Sequence, residues 1–478
     1  MKIKFKISCV FLLVVLSILI FSSFSNRNKL ESLWNNINDS HKAINAPLVP
    51  RDILNQRSFP FSENDRKWFI QGGPETYPDY ISKEDAKKEM EWFLRLLKSN
   101  YGNYWNEGGD YAFNQAKNEV LKNFPHQLPF QKYNERVSNA FSFVKDLHFY
   151  VGGIIRTKYS YPLLGNINYP FYRRLNNYYS DISLKNRVIS IDGKLPEDIL
   201  KLSIDRKGKL AYFIYKTSND NSEAQLIKIK TQKGDFTLPL SAQEDTLSGD
   251  TLSAPLIIDE IQGIPYVKLN IFDAPNTASA RTFIESAEKF RQEPFLIYDM
   301  TNNSGGMFET VDNWFENFTG QQLEPNHSSV RQVNTIHLFN VKAQLNILTY
   351  LQKHNVQLIN GYYVLEPGKQ FVSVKDSPCL FVLMGKASYS AAEDFIDACR
   401  NIENVLLIGS NSGGCLTSDA AFSQLRLPIS GLPYSFGAVY NIWNENDFSE
   451  RVGLEPDIYL TGLDCKKRFT LFLENYII

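Results

Sequence analysis

The run Cys379-Leu-Phe-Val-Leu-Met384 is continuously apolar and closes on Gly385, and a helical pattern begins shortly after it at Ser390. Ala391, Ala392, Phe395, Ile396 and Cys399 share one helical face, while Glu393, Asp394, Asp397 and Arg400 share the other. A buried strand that turns tightly into an amphipathic helix confines the fold to a sheet with helices laid on it. The same alternation recurs nearby. Ile264–Leu269 reads as a strand, Thr277–Arg291 as a helix, and Phe295–Tyr298 as a buried strand. The turn Ser304-Gly305-Gly306 follows, then a helix through Phe318, and Val405–Ile408 is a further strand. The expectation is an α/β core, a sheet flanked by helices, over residues 256–478.

Ser390 sits where strand becomes helix, and two readings of it stand side by side. Ser390-Ala-Ala-Glu393 before an apolar run is a capping box, in which the serine only satisfies the first helical N–H groups. A hydroxyl in that place can also act as a nucleophile, because free N–H groups and the positive end of the helix dipole stabilise an oxyanion. His148, in Lys145-Asp146-Leu147-His148-Phe149, is open in the same way: a polar group at a helix end, or a general base. Gly305 and Gly306 mark a tight turn, and also let backbone N–H groups approach a ligand closely.

Bulk composition excludes some classes. The chain has 478 residues, a net charge of −1 and 22% charged residues, which gives no footprint for nucleic acid or for electrostatic attachment to a membrane. Its 33 Phe and 25 Tyr favour strand-rich domains. The first residues depart from this. Lys2, Lys4 and Lys6 precede an apolar stretch from Ile7 to Phe24, and Ser23-Phe24-Ser25 supplies small residues for a signal peptidase. Residues 1–25 read as an export signal cleaved after Ser25, or as an uncleaved anchor through residues 7–24. Either places the rest of the chain outside the cytoplasm. Cys379, Cys399, Cys415 and Cys465 show no metal-ligand spacing, so no metal is expected.

Domain boundaries follow from changes of period. Residues 26–80, rich in proline, asparagine and serine, read as an extended linker. Residues 81–148 read as a small helical domain with three helices, from Ser82, from about Tyr111 to Phe124, and from about Phe130 to Lys145. Ser82-x-x-Asp85 caps the first, and Met90, Phe93, Leu94 and Leu97 form its apolar stripe. Residues 149–255 read as β-rich, with Arg187–Asp192 a strand ending in an Asp-Gly turn.

Four segments in this order resemble the tail-specific, or C-terminal-processing, serine proteases. Asp299-x-x-x-Asn303-x-Gly305-Gly306 resembles that family's Asp-x-Arg-x-Asn-x-Gly-Gly turn, with Thr301 in place of the Arg. Ser390-Ala-Ala-Glu393 resembles its nucleophile motif, Gly453-Leu-Glu-Pro-Asp457 its terminal motif, and Asp146-Leu-His148 its Asp-x-His segment. The resemblance implies a crotonase-like core and a degenerate PDZ-like domain over residues 149–255. The bacterial members use a Ser-Lys dyad, and here Cys415 stands where the Lys is expected; a thiol cannot serve as that amine base. The tricorn-core-like branch uses a His base and a Glu instead, and Leu427-Pro-Ile-Ser-Gly-Leu432 resembles a segment of that branch. The resemblance therefore implies Ser390 as nucleophile, His148 as base and Glu450 holding the imidazole, with Glu445 as a substitute orienter. Gly305, Gly306 and Ala391 are the implied oxyanion donors. The implied activity is an exported serine endopeptidase acting on a peptide or protein substrate without a cofactor. A catalytically inactive ligand- or peptide-binding protein on the same scaffold is the alternative, and acyl transfer on a non-peptide substrate a third reading.

Overall fold

The computed structural model describes residues 30–55, 62–152, 160–218, 224–244, 254–333, 356–374, 378–420, 422–462 and 464–478. The expected export segment, residues 1–25, lies outside the described residues. No helix among the described residues is long and apolar enough to cross a membrane.

The α/β alternation forms as expected. The strands Ile264–Leu269, Phe295–Asp299, Cys379–Met384 and Val405–Gly409 lie side by side and parallel, with Phe295 opposite Cys379 and Leu380 opposite Val405. Helices Ala278–Lys289, Phe308–Thr319 and Ala391–Cys399 connect or flank them. Their apolar stripes, including Phe283, Trp314 and Phe395, pack with Val267, Leu296, Tyr298 and Val382 into one buried cluster. Parallel strands covered on both faces need the continuous apolar runs seen in the sequence. Thr277 caps the first of these helices by accepting the Ala280 N–H at 3.3 Å.

The β-rich segment does not close into a sheet of its own. Leu200–Ile204 pairs in parallel with Ile458–Tyr459, which itself follows Val405–Gly409. The strands Leu210–Thr217, Leu163–Arg174, Gly234–Ala242, Ala224–Thr231 and Val188–Ile191 then extend the same sheet, which with Leu256–Ile261 beside Ile264–Leu269 and Asn177–Tyr179 beside Leu163–Arg174 has thirteen strands among the described residues. They keep a separate small core of their own, centred on Leu164, Phe171, Ile214 and Ile229.

The helical segment forms three helices, Lys83–Asn100, Gly109–Leu121 and Phe130–Ala140. Ser82 caps the first as expected, accepting the Asp85 N–H at 3.0 Å. The third ends at Ala140 rather than near Lys145, because the following residues turn into the loop that carries His148. These helices are not independent of the core. Phe93, Tyr101, Phe141 and Phe149 share a cluster with Leu427, Leu432, Tyr434 and Phe436. Glu89, fully buried on the first helix, accepts the N–H groups of Ile429 and Ser430 at 2.8 and 2.7 Å and the Tyr133 hydroxyl at 2.9 Å. Burial pushes the Glu89 carboxyl above its ordinary range.

The expectation of an extended linker over 26–80 is corrected. Residues 30–43 form a helix, and shorter helices follow at Arg51–Leu54 and Glu63–Gln71. Leu30, Trp34 and Ile37 recur at three- and four-residue spacing and bury against Phe381, Leu406 and Phe469. His41 closes the far end through a 3.0 Å contact between Nε2 and Asp457 Oδ1. Pro47 and Pro50 lie between the first two helices, and Pro74 and Pro78 follow the third. Trp34 lies 5.8 Å from Phe381, centroid to centroid. Trp34→Ala is therefore expected to cost about 3–5 kcal/mol in urea unfolding; a cost well under 1 kcal/mol would mean the helix is only loosely docked.

Candidate active site

Ser390 occupies a strained position. Its φ of +54° and ψ of −123° lie in a region that L residues rarely adopt, at the sharp turn before the Ala391–Cys399 helix. The turn is locked from several sides. Tyr389 N–H donates to the Asn303 carbonyl at 3.0 Å, and Ser388 Oγ donates to the Met300 carbonyl at 2.7 Å. Glu393 Oε2 accepts the Ser390 N–H at 3.1 Å, which is one half of a capping box. The Ser390 hydroxyl is used elsewhere. Its Oγ lies 3.2 Å from His148 Nε2, a contact spanning 242 residues of sequence.

Gly305 and Gly306 both carry positive φ, +91° and +134°. A Cβ on Gly305 would lie 2.6 Å from the Tyr389 carbonyl oxygen and 2.9 Å from Ser390 Cβ, so only glycine allows this approach to Ser390. The Gly305 N–H, however, is spent: it donates to Asn303 Oδ1 at 2.9 Å. Gly305 is thus corrected from oxyanion donor to close-approach residue. The N–H groups of Gly306 and Ala391 have no acceptor among the described residues and remain for an oxyanion. Asp299 supports the turn from behind. Its Oδ1 accepts the N–H and hydroxyl of Thr301 at 2.9 and 2.6 Å. The Tyr266 hydroxyl bonds to its Oδ2, and Lys268 Nζ lies 3.8 Å from that oxygen.

Glu393 does more than cap. It is fully buried, and Oε1 accepts the Gly414 N–H at 2.7 Å and the Ser412 hydroxyl, while Oε2 also accepts the Cys415 N–H at 2.8 Å. One carboxyl therefore ties the Ser390 turn to the 412–415 loop. Burial raises its pKa to about 7 against the pull of those donors.

Glu450 does not reach the imidazole. Its Oε1 accepts the Leu147 N–H at 2.7 Å, and its Oε2 accepts the N–H of Thr417 at 3.1 Å and the Thr417 hydroxyl. The expectation that Glu450 holds the His148 ring is corrected: its oxygens are engaged by the peptide before His148 and by Thr417. Burial and the neighbouring Asp146 charge hold its carboxyl well above the usual range. Glu445, the substitute, is solvent-exposed.

Two neighbours of His148 gain weight from the structure. Cys415 Sγ lies 3.4 Å from Nδ1 and 3.5 Å from Nε2. Near-equal distances put the sulfur against the ring face, off the axis of either nitrogen, so the thiol packs on the imidazole rather than orienting it. Asp146 is fully buried and accepts the His148 backbone N–H on Oδ1 at 2.8 Å. Glu107 Oε1 in turn accepts the N–H groups of Lys145 and Asp146 at 3.0 and 3.1 Å. Aspartate two residues before a histidine is the spacing of an Asx turn, the signal that could have exposed Asp146.

A strained serine paired with a histidine, beside two free N–H groups, is the constellation of a serine-type hydrolase. Residues 263–460 match the model of peptidase family S41, which makes this chain a serine-type peptidase. No curated protein matches the chain. Among solved structures it is similar to mature CPAF, with 13% identity, 82% of this chain and 96% of that one covered, and a TM-score of 0.43. It is similar too to the photosystem II D1 C-terminal processing protease, with 13% identity, 78% and 93% covered, and a TM-score of 0.36. The tricorn protease is a third likeness, with 13% identity, 79% of this chain and 34% of that one covered, and a TM-score of 0.34.

Two outcomes follow from the contacts of Glu393 and Cys415. Glu393→Ala leaves buried donors unpaired and should cost about 2–4 kcal/mol. Because the folded pKa is raised, wild-type stability from this group is greatest below its unfolded pKa and declines as pH rises through about 7. The gap between wild type and Glu393→Ala in urea unfolding should therefore be wider at pH 5 than at pH 8; a gap that widens with pH contradicts this. Cys415→Ala removes a sulfur that packs on the ring and should keep hydrolysis within about threefold of wild type, with a stability cost of about 1–2 kcal/mol. A hundredfold loss of rate would assign the thiol a chemical role.

Proposed function

We propose that this chain is an exported endopeptidase that cleaves peptide bonds through an acyl-enzyme on Ser390, with His148 as the base. The contact between Ser390 Oγ and His148 Nε2 at 3.2 Å carries the reading. In the forward step Ser390 Oγ attacks the scissile carbonyl carbon while His148 Nε2 takes the hydroxyl proton. The oxyanion is held by the N–H groups of Gly306 and Ala391. His148 then gives the proton to the leaving amine as the C–N bond breaks, and a water molecule, deprotonated by the same imidazole, releases the acid product.

Glu450 serves this scheme indirectly. By holding the Leu147 N–H and Thr417 together it fixes the backbone from which His148 projects. The retained His, with Cys415 in place of an amine, favours the tricorn-core-like His-base chemistry over a Ser-Lys dyad. The core is read as crotonase-like, and the strands between Leu163 and Ala242 as a degenerate PDZ-like unit. Export rests on Lys2, Lys4 and Lys6 followed by the apolar stretch of residues 7–24, cleaved or kept as an anchor.

The test is covalent labelling with a fluorophosphonate probe, mapped by mass spectrometry. Wild type should label at Ser390, Ser390→Ala should not label, and His148→Ala should label at least about 10³-fold more slowly. A folded wild-type chain that takes no label would favour the binding-protein reading. Label lost only in Ser390→Ala would reassign the base.

A further inference from the structure

Two carboxyl groups approach the back of His148, and the structure separates their roles. Glu450 spends its oxygens on Leu147 and Thr417. Asp146 Oδ1 lies 3.9 Å from His148 Nδ1, on the side of the ring away from Ser390, and already accepts the His148 N–H. Its Oδ2 accepts the hydroxyls of Tyr101 at 2.8 Å and Ser418 at 2.6 Å. These donors fix the carboxylate in place beside the ring.

Resting on the reading of Ser390 and His148 as nucleophile and base, we propose that Asp146 is the positioning residue that receives the His148 Nδ1–H and carries the negative charge that stabilises the imidazolium. At 3.9 Å no hydrogen bond is closed in the resting enzyme. Such bonds commonly tighten only when the reacting complex forms. A small tilt of the imidazole over the Cys415 sulfur brings Nδ1 within reach of Oδ1. In the step itself the Ser390 proton moves to Nε2, the ring becomes positive, and Nδ1–H points at Asp146.

The surrounding charges agree with this division. The titratable groups around the pair are Glu107 on the Asp146 N–H, Tyr101 on Oδ2, Glu450 beneath Leu147, Cys415 on the ring and Lys145 on the solvent side. Burial and the neighbouring Asp146 hold the Glu450 carboxyl above its ordinary range, and Asp146 is the member whose oxygen lies 3.9 Å from the ring nitrogen.

The experiment compares Asp146→Asn with Glu450→Gln in the full chain, following the rate of fluorophosphonate labelling from pH 5 to 9. Asparagine is isosteric, and the Tyr101 and Ser418 hydroxyls can turn to accept from its amide. Asp146→Asn should label on the order of 10²–10⁴-fold more slowly. Its acid limb should also move to lower pH by about one unit or more, since the imidazolium loses a neighbouring anion. A residue that merely supports the fold would lower the rate without moving that limb. Glu450→Gln should slow labelling less than about tenfold and leave the limb in place. The proposal is overturned if Asp146→Asn labels within about threefold of wild type, or if Glu450→Gln moves the limb. Should Asp146→Asn fail to fold, Glu450→Gln decides alone: an unmoved limb supports Asp146, a moved limb assigns the charge to Glu450. Failure of the underlying serine reading looks different, because wild type itself would then take no label, or His148→Ala would label normally.

Discussion

The site depends on one packing contact between distant parts of the chain. His148 comes from the helical segment and Ser390 from the parallel sheet, and nothing covalent nearby joins them. What brings them together is the aromatic cluster in which Tyr101, Phe141 and Phe149 interleave with Tyr434 and Phe436. Tyr101 and Phe149 lie 5.4 Å apart and Tyr101 and Phe436 5.9 Å apart, which fixes the loop between Val144 and Val151 against the core. Glu89 adds directed bonds to the same join. The three-stranded sheet of Tyr150–Val151, Phe422–Arg426 and Pro433–Phe436 is its backbone counterpart, since Val151 pairs with Tyr434 directly after the loop that carries His148.

On the Ser390 side, polar burial replaces apolar burial as the organising force. A carboxyl sealed under this turn would be costly alone, and Glu393 is tolerated because Ser390, Ser412, Gly414 and Cys415 all donate to it. The left-handed backbone at Ser390 is held by those bonds and by the Asn303 and Met300 carbonyls. With the cap served by Glu393 and by backbone bonds, the serine hydroxyl stays free to face the histidine. The capping and nucleophile readings of Ser390 were therefore not true rivals: the glutamate serves the cap while the hydroxyl serves the histidine.

The sheet and its helices were legible because parallel strands and amphipathic helices leave strong periods, and Cys379–Met384 and Ala391–Cys399 show both plainly. The helix at 30–43 was hidden by composition. Its stripe of Leu30, Trp34 and Ile37 is clear in spacing, yet it borders prolines and asparagines that suggest a linker. Ser390 and His148 could be picked out by motif, but the partners of each heteroatom could not. Gly305 looked like a donor until Asn303 Oδ1 was found on its N–H, and Glu450 looked like an orienter until its oxygens were found on Leu147 and Thr417. Such assignments depend on how loops far apart in sequence face each other, which local period does not encode.

The same long separations set a timetable. His41 meets Asp457 across 416 residues and Ser390 meets His148 across 242, so neither contact can form until nearly the whole chain is available. Closing loops of that length is a late event in folding. While the polypeptide is still being made, His148 stands without Ser390. The pairing of Ser390 with His148 is thus a property of the assembled fold and of no shorter stretch of the chain.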